Sequence, residues 1–63
     1  MRRVVEWTHQ AGDLYRVVGR TTDGRPFTRT FSNPHVALAI NLWDGRVWLV
    51  RGGRRSLIKR VTP

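Results

Sequence analysis

Apolar and polar residues alternate along most of the chain in short runs, and glycine-bearing turns cut the runs apart: Ala11-Gly12-Asp13, Asp23-Gly24, Asp44-Gly45 and Gly52-Gly53. Alternation with a period of two puts every second side chain on one face of a pleated strand. Strands are therefore expected at residues 3–8, 14–21, 26–31, 46–51 and 56–61. Asp-Gly and Gly-Gly between such runs favour tight hairpins, because glycine accepts the positive φ that the tightest turns require.

The stretch 32–45 has a different rhythm. Asn33 or Ser32 can cap a helix, Pro34 suits the first helical position where its missing N–H is not needed, and Gly45 suits a left-handed C-terminal cap. Between them Val36, Ile40 and Trp43 recur at helical spacing, which predicts a three-turn helix burying that stripe. The rival assignment makes residues 36–43 a buried strand that turns at Asp44-Gly45. Alanines 37 and 39 and the Asn-Pro start favour the helix. The expected fold is α+β, a small antiparallel sheet of four to five strands with one short helix in the order β-β-β-α-β-β; a small all-β barrel is the alternative.

Loop length decides which residues share a face. A two- or four-residue loop around Asp23-Gly24 would group Leu14, Arg16, Val18 and Arg20 with Phe27, Arg29 and Phe31, leaving Tyr15, Val17, Gly19 and Thr21 with Thr28 and Thr30. The first group interleaves arginines with two phenylalanines, as on a surface where rings stack on bases and guanidinium groups meet phosphates. The same residues also fit a core of Phe27 and Phe31 overlaid by arginine stems whose heads reach water. An equivalent loop at Gly52-Gly53 groups Arg46, Trp48 and Val50 with Leu57, Lys59 and Val61, against Val47, Leu49, Ile58, Arg51 and Arg60. Both groups are partly apolar. Either the hairpin is covered on both sides, or an apolar patch around Trp48 marks an interface.

Composition narrows the function more than the fold. Sixty-three residues suffice for one domain, and a domain this small buries only roughly 60% of the surface its unfolded chain exposes. Cysteine is absent, which excludes disulfides and thiolate metal sites within the chain. His9 and His35 stand far apart with no carboxylate at a ligand spacing, so neither a metal nor another cofactor is expected. Packing of Trp7, Trp43 and Trp48, or self-association into a homodimer, remains as a source of extra stability.

Charge is the strongest signal: 12 Lys+Arg against 4 Asp+Glu give a formal net charge of +8. Eleven of the cations are arginine, whose planar fork matches phosphate and stacks on rings. Residues 1–44 hold six cations and all four acids, whereas residues 45–63 hold six cations and no acid. Such a surplus attracts nucleic acid, an anionic surface or an acidic protein. No apolar run is long enough to span a membrane, and residues 1–5 lack a signal-peptide core, so a soluble, cytoplasmic protein without a membrane partner is expected. The acids Glu6, Asp13, Asp23 and Asp44 mostly fall in expected turns, where turn formation accounts for them. With no phosphate loop, nucleophile motif or paired carboxylates, the chain is not expected to be an enzyme.

Residues 15–27, from Tyr15 to Phe27, followed by residues 40–51 and 57–61, resemble small uncharacterised proteins of tailed bacteriophages. The similarity covers about residues 15–61. It implies a bacterial host cytoplasm and a partner that is either nucleic acid or a host protein bound and modulated by the phage. A fainter similarity is to three-strand-plus-helix DNA readers of the AP2 and integrase-arm kind, which lay the sheet in the major groove. Two expected strands after the helix depart from that pattern.

Two function classes follow. The first is a non-enzymatic nucleic-acid-binding module, for DNA or RNA, in which Arg16, Arg20 and Arg29 on the sheet join Arg46, Arg51, Arg54, Arg55, Lys59 and Arg60 in meeting phosphates. Phe27, Phe31 and Trp48 are its candidate stacking rings. The second is a protein–protein module that fits an acidic patch on a host protein and is anchored by an exposed Trp48 face.

Overall fold

The computed structural model describes residues 9–63. Four strands and one helix follow each other as β1 (Leu14–Arg20), β2 (Pro26–Phe31), α1 (Pro34–Ala39), β3 (Asp44–Arg51) and β4 (Arg54–Val61). The strands form one antiparallel sheet in the order β2-β1-β3-β4, an open α+β sheet rather than a barrel. The expected strand at 3–8 lies outside the described residues.

The first hairpin differs from expectation in a single residue of loop length. Thr21 N–H donates to the Arg25 carbonyl at 2.9 Å and Gly24 N–H to the Thr21 carbonyl at 2.9 Å. Thr22, Asp23 and Gly24 are left as a three-residue turn, and Gly24 takes the positive φ of 86° that an L side chain resists. Thr21 Oγ1 donates to the Asp23 carboxylate and accepts from Arg25 N–H, which fixes the turn from within. An odd loop reverses the parity. Tyr15 faces Phe31, Val17 faces Arg29 and Gly19 faces Phe27, so Phe27, Arg29 and Phe31 share a face with Tyr15 and Val17, not with Arg16 and Arg20.

In the second hairpin Gly52 and Gly53 form the expected two-residue turn, both at positive φ, with Arg51 opposite Arg54. The expected parity holds at Trp48 opposite Leu57 and Val50 opposite Arg55. It then breaks: Val47 pairs with Lys59 while Trp48 pairs with Leu57, leaving Ile58 as the extra residue of a bulge. Beyond it Arg46 faces Arg60, and Lys59 joins Val47 on the opposite side.

The core lies on the face occupied by Tyr15, Val17, Val47, Leu49 and Ile58, all buried, against Ala37 of the helix. Phe27, Phe31, Leu38, Ile40 and Leu42 pack around it partly buried. Asn33 caps α1, its side-chain oxygen accepting from His35 N–H at 2.8 Å and Val36 N–H at 3.4 Å, and Pro34 opens the first turn as expected. The helix is shorter than expected. It stops at Ala39, and Ile40 is already extended with ψ 130°. The Val36–Ile40–Trp43 stripe is consequently not its buried face: Val36 and Trp43 are exposed, and Ala37 meets the sheet.

Gly45 does not cap the helix; it belongs to β3 opposite Gly19. A methyl group built on Gly19 would lie 2.1 Å from the Asp44 carbonyl oxygen and 2.8 Å from Leu42 Cδ1, and one on Gly45 would lie 2.5 Å from the same Leu42 atom. The glycine pair is the trough into which Leu42 lowers the connecting chain, and Trp43 N–H seals it on the Arg20 carbonyl at 2.8 Å. Asp44, expected in a hairpin turn, instead begins a strand.

Candidate nucleic-acid interface

Registers and alternation place Leu14, Arg16, Val18 and Arg20 of β1, Asp44, Arg46, Trp48 and Val50 of β3, Thr28 and Thr30 of β2, and Arg55, Leu57 and Arg60 of β4 on the face away from the helix. None of these residues is buried. Two cross-strand rows carry most of its chemistry. One runs Thr30, Arg16, Trp48, Leu57 and the next runs Thr28, Val18, Arg46, Arg60.

Among the described residues this face holds five guanidinium groups, those of Arg16, Arg20, Arg46, Arg55 and Arg60, and the single carboxylate of Asp44 opposite Arg20. Like charges directly opposite on a sheet repel, so the Arg46–Arg60 pair is a local cost that the remainder of the fold carries. Trp48 stands in the middle of the face, half-buried, with the Arg55 guanidinium carbon 4.6 Å from its ring centre. An exposed cation–π contact of this kind is worth about 0.5–1 kcal/mol. Leu14 and Leu57 are 44% and 38% exposed beside it, so apolar and cationic surface are interleaved.

The other expected phosphate-binding cations lie elsewhere in the fold. Arg51 grips Asp13 with both arms of its fork, Nε to Oδ1 at 3.0 Å and a terminal nitrogen to Oδ2 at 2.7 Å. Asp13 is buried and also accepts the Gln10 N–H at 3.1 Å. The hydrogen bonds from Arg51 hold the Asp13 carboxyl at about 2, below its ordinary 3.8, against the opposing effect of burial. The same pairing raises Arg51 further, and burial raises the Tyr15 phenol beneath it. Arg51 is thus a strut between the start of β1 and the end of β3. Asp13, expected merely to shape a turn, is its anchor.

Lys59, turned by the bulge to the helix side, donates to the Leu38 carbonyl at 2.7 Å near the end of α1. Arg29 is exposed on edge strand β2, its guanidinium carbon 5.5 Å from the Phe27 ring centre on the helix side. Phe27 and Phe31 are partly buried against the core and do not stack on the open face. Arg54 sits at the hairpin tip opposite Arg51, exposed.

Five of the nine expected cations, Arg16, Arg20, Arg46, Arg55 and Arg60, therefore meet on one surface with Trp48. Arg51, Lys59 and Arg29 lie on the other side of the sheet. The expected even loop at the first hairpin set Arg29 with Arg16 and Arg20, the β1–β3 register that puts Arg16 opposite Trp48 has no local turn to predict it, and the bulge that brings Arg60 beside Arg46 has no signature in the local sequence. Among the described residues, no cluster of three or more histidine, aspartate or glutamate side chains could hold a metal, and no helix is long and apolar enough to cross a membrane. Compared with protein-family models, curated proteins and solved structures, the chain matches none.

Proposed function

We propose that this chain is a non-enzymatic nucleic-acid-binding module that meets its ligand with the open face of the sheet. One observation carries the reading: a pleated surface that no other described element covers, on which five arginines surround one tryptophan with a single carboxylate among the described residues. Guanidinium groups supply phosphate contacts and the ring supplies a sequence-tolerant stacking surface. The shifted acid–base groups, Asp13, Tyr15 and Arg51, cluster around one internal pairing on the other side, which assigns them to the scaffold. With the resemblance to phage proteins, the module works in the cytoplasm of a bacterial host.

Binding to labelled DNA and RNA oligonucleotides across a salt series tests the reading. Each phosphate contact contributes about 0.7 to 0.9 to the log–log salt slope, so four or five contacts give a slope of roughly 3 to 4.5. Replacing Arg16, Arg20 and Arg46 together with glutamine should flatten it by about two units or more, while the same changes at Arg29 and Arg54 leave it nearly intact. A flat response, or no binding at low salt, refutes the proposal.

Exposed Leu14 and Leu57 beside Trp48 support a second reading, in which the face docks on an acidic patch of a host protein. That reading requires a specific host protein to stay bound after nuclease treatment and to be lost with Trp48→Ala.

A further inference from the structure

Within the nucleic-acid reading, on which this inference rests, the geometry points to a single strand as the ligand, with one unpaired base laid on Trp48 and a neighbouring phosphate held between Arg46 and Arg60. The bulge at Ile58 is the device that builds the phosphate position. It turns Ile58 and Lys59 toward the core side and brings Arg60 directly across from Arg46. Had the register run on unbroken from Trp48 opposite Leu57, Arg46 would face Lys59 and Arg60 would lie on the opposite face.

Among the described residues neither arginine has a carboxylate partner. With Val18, Gly45, Thr62 and Asp44 they line an open depression of about 320 Å³, and Asp44 has Arg20 as its cross-strand neighbour. Two like charges held face to face across a concavity are relieved by one anion that both can grip, and an Arg fork binds phosphate in two-point fashion.

Trp48 lies two residues along the same strand from Arg46, which is roughly 7 Å by strand rise. This is about the reach from a base to an adjacent phosphate on an extended strand. The Arg55 guanidinium now over the ring is held by a contact weaker than base stacking, so an arriving base takes its place and frees Arg55 for a further phosphate.

A duplex cannot stack a base on Trp48. Even where a sheet lies in its major groove, the faces of its bases are occupied by their neighbours, so the Trp48 ring meets no free base face and the arginines supply the phosphate contacts.

The experiment compares a twelve-nucleotide oligo-dT and oligo-U with a mixed-sequence duplex of the same length by fluorescence anisotropy at low salt. Single strands should bind more tightly, and Trp48→Ala should weaken them by roughly 5- to 100-fold while leaving duplex affinity unchanged. Trp48→Phe, which keeps a stacking ring, should restore most of that loss and serves as the folding control with far-UV circular dichroism. In a Trp7→Phe, Trp43→Phe background the remaining Trp48 emission should be quenched by single strands only. The Arg46→Gln, Arg60→Gln double variant should lower the single-strand salt slope by about 0.7, the value for one shared phosphate, rather than the roughly 1.4 of two separate ones. Equal affinity for duplex and single strands, with Trp48→Ala affecting neither or both alike, overturns the inference and leaves the nucleic-acid reading standing. Absence of binding to any oligonucleotide overturns both.

Discussion

Tyr15 and Arg16 are neighbours in the chain, as are Val47 and Arg46, yet each pair is divided between two surfaces with opposite demands. The helix-side face buries Tyr15, Val17, Val47, Leu49 and Ile58, and the buried carboxylate of Asp13 is neutralised by Arg51. On the open face none of the described residues is buried, and repelling arginines stand side by side around Trp48. A marginal domain would gain by placing apolar or alternating charges there. The difference teaches that one face specifies the fold, while the other bears features that folding alone does not reward.

If that division is correct, substitutions on the helix side should act on stability, and those on the open side on binding. The largest effect is expected where the backbone of the helix-side face is tightest. Gly19→Val drives a side chain into the Asp44 carbonyl and Leu42, so the domain should be largely unfolded at 25 °C by circular dichroism. Overpacking of this kind costs about 3 kcal/mol or more, comparable with the entire stability of a core this small. A Gly19→Val protein with wild-type Tm would show that β1 and residues 42–45 are not in close contact there.

Tyr15→Ala comes next, at about 3 kcal/mol or more by denaturant titration, because a fully buried ring leaves a cavity between the inner strands. Its open-face counterpart, Val18→Ala, should cost no more than about 1 kcal/mol. Equal losses at the two positions would erase the contrast between the faces.

The Asp13–Arg51 pairing should give the helix-side face a pH signature. The folded-state pKa of Asp13 is depressed to about 2 from 3.8, so its contribution is fully present above the unfolded value and is lost as pH falls through the folded one. Stability should therefore decline between about pH 4 and pH 2, and Asp13→Asn should lower Tm at neutral pH while flattening that decline. An unchanged acid transition in Asp13→Asn would remove the pairing from the list of forces holding β1 to β3.

The smallest effect should have the opposite sign. Arg46→Gln relieves cross-strand repulsion with Arg60 and should raise Tm at low salt by roughly 1–2 °C, an increment that fades at high salt. The same variant should weaken oligonucleotide binding. A fall in Tm would mean that Arg46 holds the open face together instead of waiting for a ligand.

Local chemistry in the chain is enough to predict the strand at 26–31, the Gly52-Gly53 turn, the Asn33–Pro34 helix start and the α+β class, since each depends on neighbours within a few residues. Charge composition is equally visible without coordinates, and it directs attention to an anionic partner. Which arginines share a face is different. It turns on the three-residue first loop, which sends Arg29 to the helix side, on the β1–β3 register, which puts Arg16 opposite Trp48, and on one bulge at Ile58, which carries Arg60 to the open face. The helix length, the Leu42 trough over Gly19 and Gly45, and the Asp13–Arg51 strut likewise depend on segments distant in sequence meeting in space. Alternation along the chain thus determined that this protein has two unlike faces, whereas tertiary packing decided which residues occupy each, because a period of two is indifferent to parity until a neighbouring strand sets its register.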